Sequence, residues 1–474
     1  MANHGVQVFE RATAIATPVV ASSGIPFVVG CAPIHSADHP ATVGVPTLCT
    51  SWDEVVDLLG YSDDWTNFDL SEFAYSHFVL YNMQPAIFLN VFDPTTMKAT
   101  QAAANFTVTE HKVDMGALAI KNSNLEIKAG SPLVALVEDT DYEVYFTNGH
   151  MVIELLSGGS AYSASTLNIA YDKAVFTSIT TATIATAFGN IDLCATSLGV
   201  IPDTLVAPNW SCQSAVAAVM ASKAAAITGL FRGKALIDIP SDSVNGATTY
   251  SAVVAKKNNL AMTDPNEIVC WPMLKLGDDV YHFSTQLAGL LASVDTENRA
   301  PYCSPSNHGI KCDSMVLADG TTEVLLTKAQ ADILNNGGVV TALNFMGGWV
   351  DWGNYCACYP TNTDVKDYFI PISRMFDWVA NTLIQTFWGQ LDKPMTRRLI
   401  DTILDSANIW LNGLTGSGYI LGGRVEMLES ENTVQNLMAG IINLHVYLTP
   451  PSPAQEIDFT LEYDASYVQA ALQA

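Results

Sequence analysis

Between Asp332 and Tyr368 the chain passes through two glycine pairs, in a stretch that joins two regions of different character. The first, Gly337-Gly338, follows Ile333-Leu334-Asn335-Asn336 and precedes Val339-Val340, which predicts a helix stopped at Asn-Gly-Gly and then a β-branched strand. The second, Gly347-Gly348, brackets Trp349, Val350 and Trp352 together with Gly353. Those three side chains need apolar partners, so the expectation is a buried strand with sharp turns at both ends. Upstream lies a long region of mixed α and β character. Downstream come helices, a proline hinge and alternating strands. The stretch reads as the seam between a central α/β domain and a C-terminal assembly domain.

At 474 residues, 49% of them hydrophobic, the chain exceeds one ordinary core and can fill several. It carries 21 Lys and Arg against 47 Asp and Glu, a net charge of −26. Such a surface repels phosphate backbones and argues against a nucleic-acid partner. No apolar run approaches the ~18 residues a membrane span requires, so direct membrane insertion is not expected. The opening Met1-Ala2-Asn3-His4-Gly5 lacks the basic region of a signal peptide. Nine scattered cysteines form no disulfide framework and suit a reducing cytoplasm. The one close pair, Cys356-Ala357-Cys358, has too short a spacing for a zinc knuckle, and no metal site is expected.

In chain order, residues 1–20 form an arm with strand potential at Val6, Val8 and Glu10. A first α/β part follows over 21–104. Its strand covers 25–30, Ser51 caps a helix with Glu54 at the capping-box position, a second helix runs over 71–82, and another strand spans 85–92. From 105 to 180 the pattern turns to strands, including 133–138 and 167–171. Asn148-Gly149 between two alternating runs predicts a hairpin, and the unit reads as an inserted β-sandwich. The α/β pattern resumes over 181–350, with a helix near 212–227 and strands at 235–239 and 267–272. Residues 351–474 form an α+β region: core helices at 371–388 and 397–411, the second capped by Gly413, then a polar helix over 429–439. Two strands close it. Ile442, Leu444, Val446 and Leu448 alternate with polar residues, and so do Ile457, Phe459, Leu461 and Tyr463. Two strands leave open edges, and further strand candidates occur only at the two ends of the chain, so a strand from another chain is the expected complement.

The chemical motifs fall short. Gly229-Leu230-Phe231-Arg232-Gly233-Lys234 has one residue too few for a phosphate loop, and Ala235 stands where a metal-binding hydroxyl belongs. His35 and His39 sit four apart in a loop without a general base. His308-Gly309 has the look of part of a protease histidine motif but lacks its nucleophile sequence. Asn105-Phe106-Thr107 and Asn209-Trp210-Ser211 are sequons, meaningful only in a secreted protein. No catalytic residue and no cofactor is expected. An α/β hydrolase would need an acid, base or nucleophile set that is missing. A secreted β-rich surface or adhesin protein is opposed by the free cysteines and the missing signal.

One set of motifs is informative through its order. Ala288-Gly289-Leu290-Leu291-Ala292-Ser293-Val294-Asp295 is followed by Pro305-Ser306-Asn307, by Leu334-Asn335-Asn336-Gly337-Gly338-Val339, and by Gly347-Gly348-Trp349-Val350-Asp351-Trp352-Gly353. Together with Gly5-Val6-Gln7-Val8-Phe9-Glu10 at the start, this series resembles the contractile tail sheath proteins of phages and R-type bacteriocins. Asn354-Tyr355 in place of Arg-Thr, and Ser306 in place of Ala, depart from that family's pattern. The resemblance implies a central subtilisin-like α/β domain without proteolytic function. It implies a homo-oligomeric helical sheath around an inner tail tube protein, with baseplate and tail terminator proteins at its ends. It further implies a tube-facing helix carrying Glu429, Glu431, Asn432, Gln435 and Asn436. Assembly in the bacterial cytoplasm and release on lysis, as part of a phage tail or phage-tail-like particle, follow from the same resemblance.

Overall fold

The computed structural model describes residues 18–472. A six-stranded sheet forms the centre, in the order Glu267–Cys270, Lys234–Asp238, Thr204–Val206, Pro26–Gly30 (β1), Ala86–Asn90, Thr47–Cys49. The first five strands run parallel and the last antiparallel. Phe27, Val28 and Val29 of β1 are fully buried, which explains the unbroken apolar run: a parallel sheet is covered on both faces. One covering helix is Phe283–Asn298 (α1), buried over most of its length. Its small residues mark close approaches. A side chain at Gly289 would collide with the Tyr81 ring, and Ala292 lies against Gly24, whose φ of +74° suits glycine.

The other expected elements are present with shifted edges. Ser51 caps Trp52–Leu59 by accepting from the Glu54 amide at 3.2 Å. The Glu54 carboxylate returns to Thr50 N at 2.6 Å, not to the Ser51 amide, so the capping box is displaced by one residue. The helix expected over 71–82 starts at Asp69 and widens into a π-helical turn, Tyr75–Leu80.

The β-rich unit opens with Lys98–Thr107 and closes with Thr166–Ala174, which pair antiparallel along their length. Asn148 and Gly149, with φ of +51° and +78°, form the hairpin turn between Tyr142–Thr147 and His150–Leu155. The unit holds a three-stranded and a five-stranded sheet, and residues from both, among them Val113, Ile153, Ile127 and Ile169, share a core separate from the central one. Asp172 closes its base: the buried carboxylate pairs with Lys98 at 2.8 Å and accepts from Thr100, Asn122 and Asn124.

At the seam, the helix Lys328–Asn336 ends on Gly337 and Gly338 as expected. The buried Lys257 ammonium donates to the Gly337 and Ala357 carbonyls, both at 2.6 Å, and binds the seam to the central domain. Val340 joins the edge of the central sheet through Val269 and Trp271. The aromatic segment is a strand between glycine turns, as expected, but a less buried one. Trp349–Trp352 is the second strand of a two-stranded hairpin with Thr341–Asn344, and Trp349, Val350 and Trp352 are half-buried. Gly347-Gly348 makes the sharp turn expected ahead of this strand, here the turn of a hairpin, which leaves Phe345 and Met346 exposed at its tip.

Beyond the seam, Ile370–Phe387 (α2) and Arg397–Gly416 (α3) pack together through Met375, Trp378, Val379, Ala407 and Leu411. Gly413, expected as the cap of α3, lies inside it; the helix stops one turn later, before Gly418 at φ +79°. Gly422–Glu426 (β2) and His445–Thr449 (β3) then form an antiparallel pair on α3.

Candidate assembly surface

α2 holds the two halves of the molecule together with buried charge. Arg374 binds the Asp295 carboxylate with both terminal nitrogens, at 2.8 and 2.5 Å, and reaches Asp203 at 3.3 Å. Burial holds the Asp295 carboxyl above the usual carboxylate range even beside the guanidinium. The last residue of the Ala-Gly motif is thus the counter-ion for α2. One turn further on, Asp377 pairs with Lys234 at 2.9 Å. Lys234 is therefore committed to a buried ion pair and does not project from a phosphate-binding loop.

A strap of chain runs along the same helix. Gly24 N and Ile25 N donate to Asp203 at 3.0 and 2.8 Å, Trp378 donates to the Ala21 carbonyl at 2.8 Å, Ala21 N donates to Thr382 Oγ1 at 3.1 Å, and Val19 N donates to Thr386 Oγ1 at 3.0 Å. Arg374, Trp378, Thr382 and Thr386 recur every fourth residue, which places them in one row on the helix surface. Val6, Val8 and Glu10, expected to form an inter-subunit strand, lie outside the described residues.

At the other end, the two alternating segments expected as strands fare differently within this chain. β3 pairs with β2, and residues 457–463 are in no strand within this chain. Leu444, Val446 and Leu448 pack on the core shared by α2 and α3, so the alternation over 442–448 did mark a one-sided strand. Ile457, Phe459, Leu461 and Tyr463 are 70%, 86%, 95% and 80% exposed. Four large apolar side chains in period-two alternation therefore meet solvent. Among the described residues β2 and β3 form a sheet of two strands, which leaves both outer edges unpaired.

The polar helix expected over 429–439 divides in two. Glu429–Glu431 is a short 3₁₀ turn and Val434–Met438 a single helical turn capped by Thr433. Asn432 between them is buried: it donates to the Leu428 and Asn443 carbonyls and accepts from Asn443 N at 2.8 Å. Its amide stands in for a backbone partner, and that breaks the helix. Glu431 is turned to His445 at 2.8 Å, Glu429 and Gln435 are exposed, and Asn436 is half-buried. The five residues do not share one helix face.

The residues weighed for chemistry are dispersed. His35 is half-buried with Nε2 at 2.9 Å from the Ala117 carbonyl, and desolvation lowers its pKa to about 4. His39 is exposed beside Asp57 at 2.7 Å. His308 faces the Ser306 carbonyl. Burial pushes the Cys356 and Cys358 thiols up to about 12 and about 11, away from the thiolate a nucleophile requires. Among the described residues no group of three or more His, Cys, Asp or Glu could hold a metal ion, and no helix is long and apolar enough to cross a membrane.

Sequence reasoning missed β2, the Asn432 clamp and the Arg374–Asp295 pair. β2 reads Gly-Gly-Arg-Val-Glu, with one apolar residue, too few for a periodicity signal. The charge pair had a signal in hindsight: Arg374 and Asp295 each stand within an apolar helical face, where an ion needs a partner.

No protein-family model matches the chain. The tail sheath protein of Burkholderia phage BcepMu is 26% identical over 487 residues, covering 98% of this chain and 97% of that one. Among solved structures, the contracted sheath complex of PVC, an extracellular contractile injection system, matches with a TM-score of 0.57 at 15% identity, over 98% of this chain and 99% of that one. The helical sheath of the anti-feeding prophage in its contracted state matches with the same TM-score and identity, over 98% and 100%.

Proposed function

We infer that the chain is the subunit of a contractile tail sheath, the kind of protein to which its full-length relative and structural neighbours belong. Sheath subunits polymerise helically around an inner tube and contract to drive that tube through a target cell envelope. Head-to-tail contacts that do not close on themselves produce such a filament. The likeness over the entire chain, rather than over one domain, is the observation that carries the reading, and it favours a sheath over an adhesin or a hydrolase. In finer detail, the central sheet and its helices act as a subtilisin-like scaffold without proteolytic function, over about 21–97 and 181–350. The β-rich insert, which starts with the strand Lys98–Thr107 rather than at the expected 105 and runs to about 180, is peripheral, and 351–474 is the assembly domain.

The unpaired edges of β2 and β3 supply the assembly chemistry. Residues 457–463 of one subunit, and Val6, Val8 and Glu10 of another, extend that sheet as strands. Each backbone bond adds a net ~0.5–1.5 kcal/mol. Burial of Ile457, Phe459, Leu461 and Tyr463 adds up to ~1.5–3 kcal/mol per side chain. Linked in this way, subunits stay tethered while their domains rearrange, and contraction releases energy stored in the extended packing. The inner tube meets the polar surface around Glu429, Gln435 and Asn436, and baseplate and terminator proteins cap the ends. Assembly takes place in the bacterial cytoplasm, before release on lysis.

Removal of residues 454–474 tests the strand exchange. The full chain is expected to sediment as ordered polymer, and the truncated chain to stay soluble with unchanged circular dichroism. Ordered polymer from the truncated chain would refute exchange through this tail.

A further inference from the structure

The β-rich unit leaves the central domain through two paired strand ends, Lys98 and Ala174, and touches it again elsewhere. Gly149, at the tip of its hairpin, is buried against Tyr61 and Ser62, where a side chain would collide with the Tyr61 carbonyl. His150 beside it lies between Asp114 of the unit, at 3.0 Å, and Asp63 of the central domain, at 3.5 Å. From the central domain, His35 reaches across the same joint. Its Nε2 is 2.9 Å from the Ala117 carbonyl of the unit. Its ring is flanked by Phe68 and Phe92 of the central domain and by Phe146 of the unit, at 5.7, 5.9 and 5.9 Å between centroids. These contacts settle where the proton sits. A carbonyl can only accept, so Nε2 carries the hydrogen and Nδ1 keeps its lone pair. Nδ1 is inaccessible and has no hydrogen-bond partner.

We propose that His35 is an acid-sensitive pin between the β-rich unit and the central domain: neutral, it holds the unit seated, and protonated, it lets the loop at 115–118 and the hairpin tip lift. A second proton would put an N–H without an acceptor, and a positive charge, among three phenyl rings. Aromatic faces return about 0.5–2 kcal/mol to a cation, less than an unpaired buried charge costs. The acidic groups on the elements packed around the ring are engaged elsewhere. Asp69, next to Phe68, accepts from Cys31 N and Trp210; Asp93, next to Phe92, accepts from Thr95 and Thr96; Asp114 accepts from Gly116 N and faces His150; Tyr145, next to Phe146, is held by Lys112 and Glu154. The sign follows from desolvation, which lowers the seated imidazole to about 4, whereas a released ring returns to its ordinary value near 6.5. Seating is therefore complete above about 6.5 and lost as pH falls toward 4. His150, raised by Asp114, stays charged through that window and adds no signal there. The pin belongs to the isolated chain and does not depend on the sheath reading.

Hydrogen exchange of the dilute full-length chain, expressed as protection relative to the intrinsic rate at each pH, reads the joint directly. Protection over 113–121 and 144–150 is expected to fall about tenfold from pH 7.5 to pH 5.5, the factor that a shift from about 6.5 to about 4 produces there, and further by pH 4.5. The central strand Ala86–Asn90 should keep its protection at pH 5.5, which separates lifting of the unit from global unfolding. His35→Gln supplies a neutral amide donor in place of the imidazole and should make protection at the joint flat with pH. His35→Phe should be equally flat at a lower level, which keeps the test open if the glutamine variant does not fold. Unchanged wild-type protection between pH 7.5 and pH 5.5 would overturn the proposal. So would a fall of the same size in the wild type and in either variant.

Discussion

Replacing Arg374 with Met tests the claim that one buried pair holds the C-terminal helices to the central domain. Both members are nearly inaccessible, with side-chain exposures of 4% for Arg374 and 1% for Asp295. Met preserves most of the volume of the Arg stem but removes two bonds to Asp295 and one to Asp203, leaving a buried carboxylate without a counter-ion. Breaking such a pair from one side costs about 3–5 kcal/mol, a large share of the ~5–15 kcal/mol that holds a domain folded. The deficit must depend on pH. Burial already raises the Asp295 pKa with the guanidinium present, and its loss raises it further. A carboxyl whose folded pKa exceeds its unfolded one carries no penalty below the unfolded pKa, near 4, and a growing penalty as pH rises toward the folded value. Urea titration of the dilute chain should therefore show the full loss at pH 7 and much of it recovered toward pH 4.5. The double variant Arg374→Met with Asp295→Asn should recover stability at neutral pH, because an amide needs no counter-charge. A loss under ~1 kcal/mol at pH 7, or a double variant no more stable than the single, would refute the reasoning.

Two further outcomes follow from the same physics. Burial would lower the pKa of His282, but Glu72 at 2.8 Å, with Asp238 and Asp69 behind it, outweighs that and lifts it to about 9; the stabilisation is complete below about 6.5 and lost as pH rises through about 9, so the urea midpoint should fall across that window and His282→Gln should flatten the fall. Asp172→Asn removes the ion pair and weakens three hydrogen bonds at the base of the β-rich unit, and a local loss of about 1.5–3 kcal/mol should appear as faster amide exchange in Lys98–Thr107 and Thr166–Ala174, with the central strands unaffected.

What could be read in the sequence was whatever one local rule determines. Asn148-Gly149 demands positive φ at both positions and so declared its hairpin. The apolar rows of α2 and α3 declared their buried faces. The motif from Ala288 to Asp295 carried information that only the packing explains: Gly289 admits Tyr81, Ala292 admits Gly24, and Asp295 awaits Arg374. Local pattern fell short where a distant partner decides. Residues 442–448 and 457–463 have the same alternation, yet the first pairs with a strand of one apolar residue and the second with nothing in its own chain. The helix expected over 429–439 had acceptable local propensity, but the side chain of Asn432 binds Asn443, eleven residues on, and divides it. Gly347-Gly348 fits the end of a strand and the turn of a hairpin equally well, and only the pairing with Thr341–Asn344 separates them.

Electron microscopy of the purified full-length chain in negative stain tests the central claim most directly. A contractile sheath subunit is expected to form long hollow cylinders with a helical repeat, wide enough to enclose a tube and free of any added component. A chain that stays monomeric, or that gathers only into closed rings or amorphous aggregate at every salt concentration and pH at which it remains folded, would contradict the account.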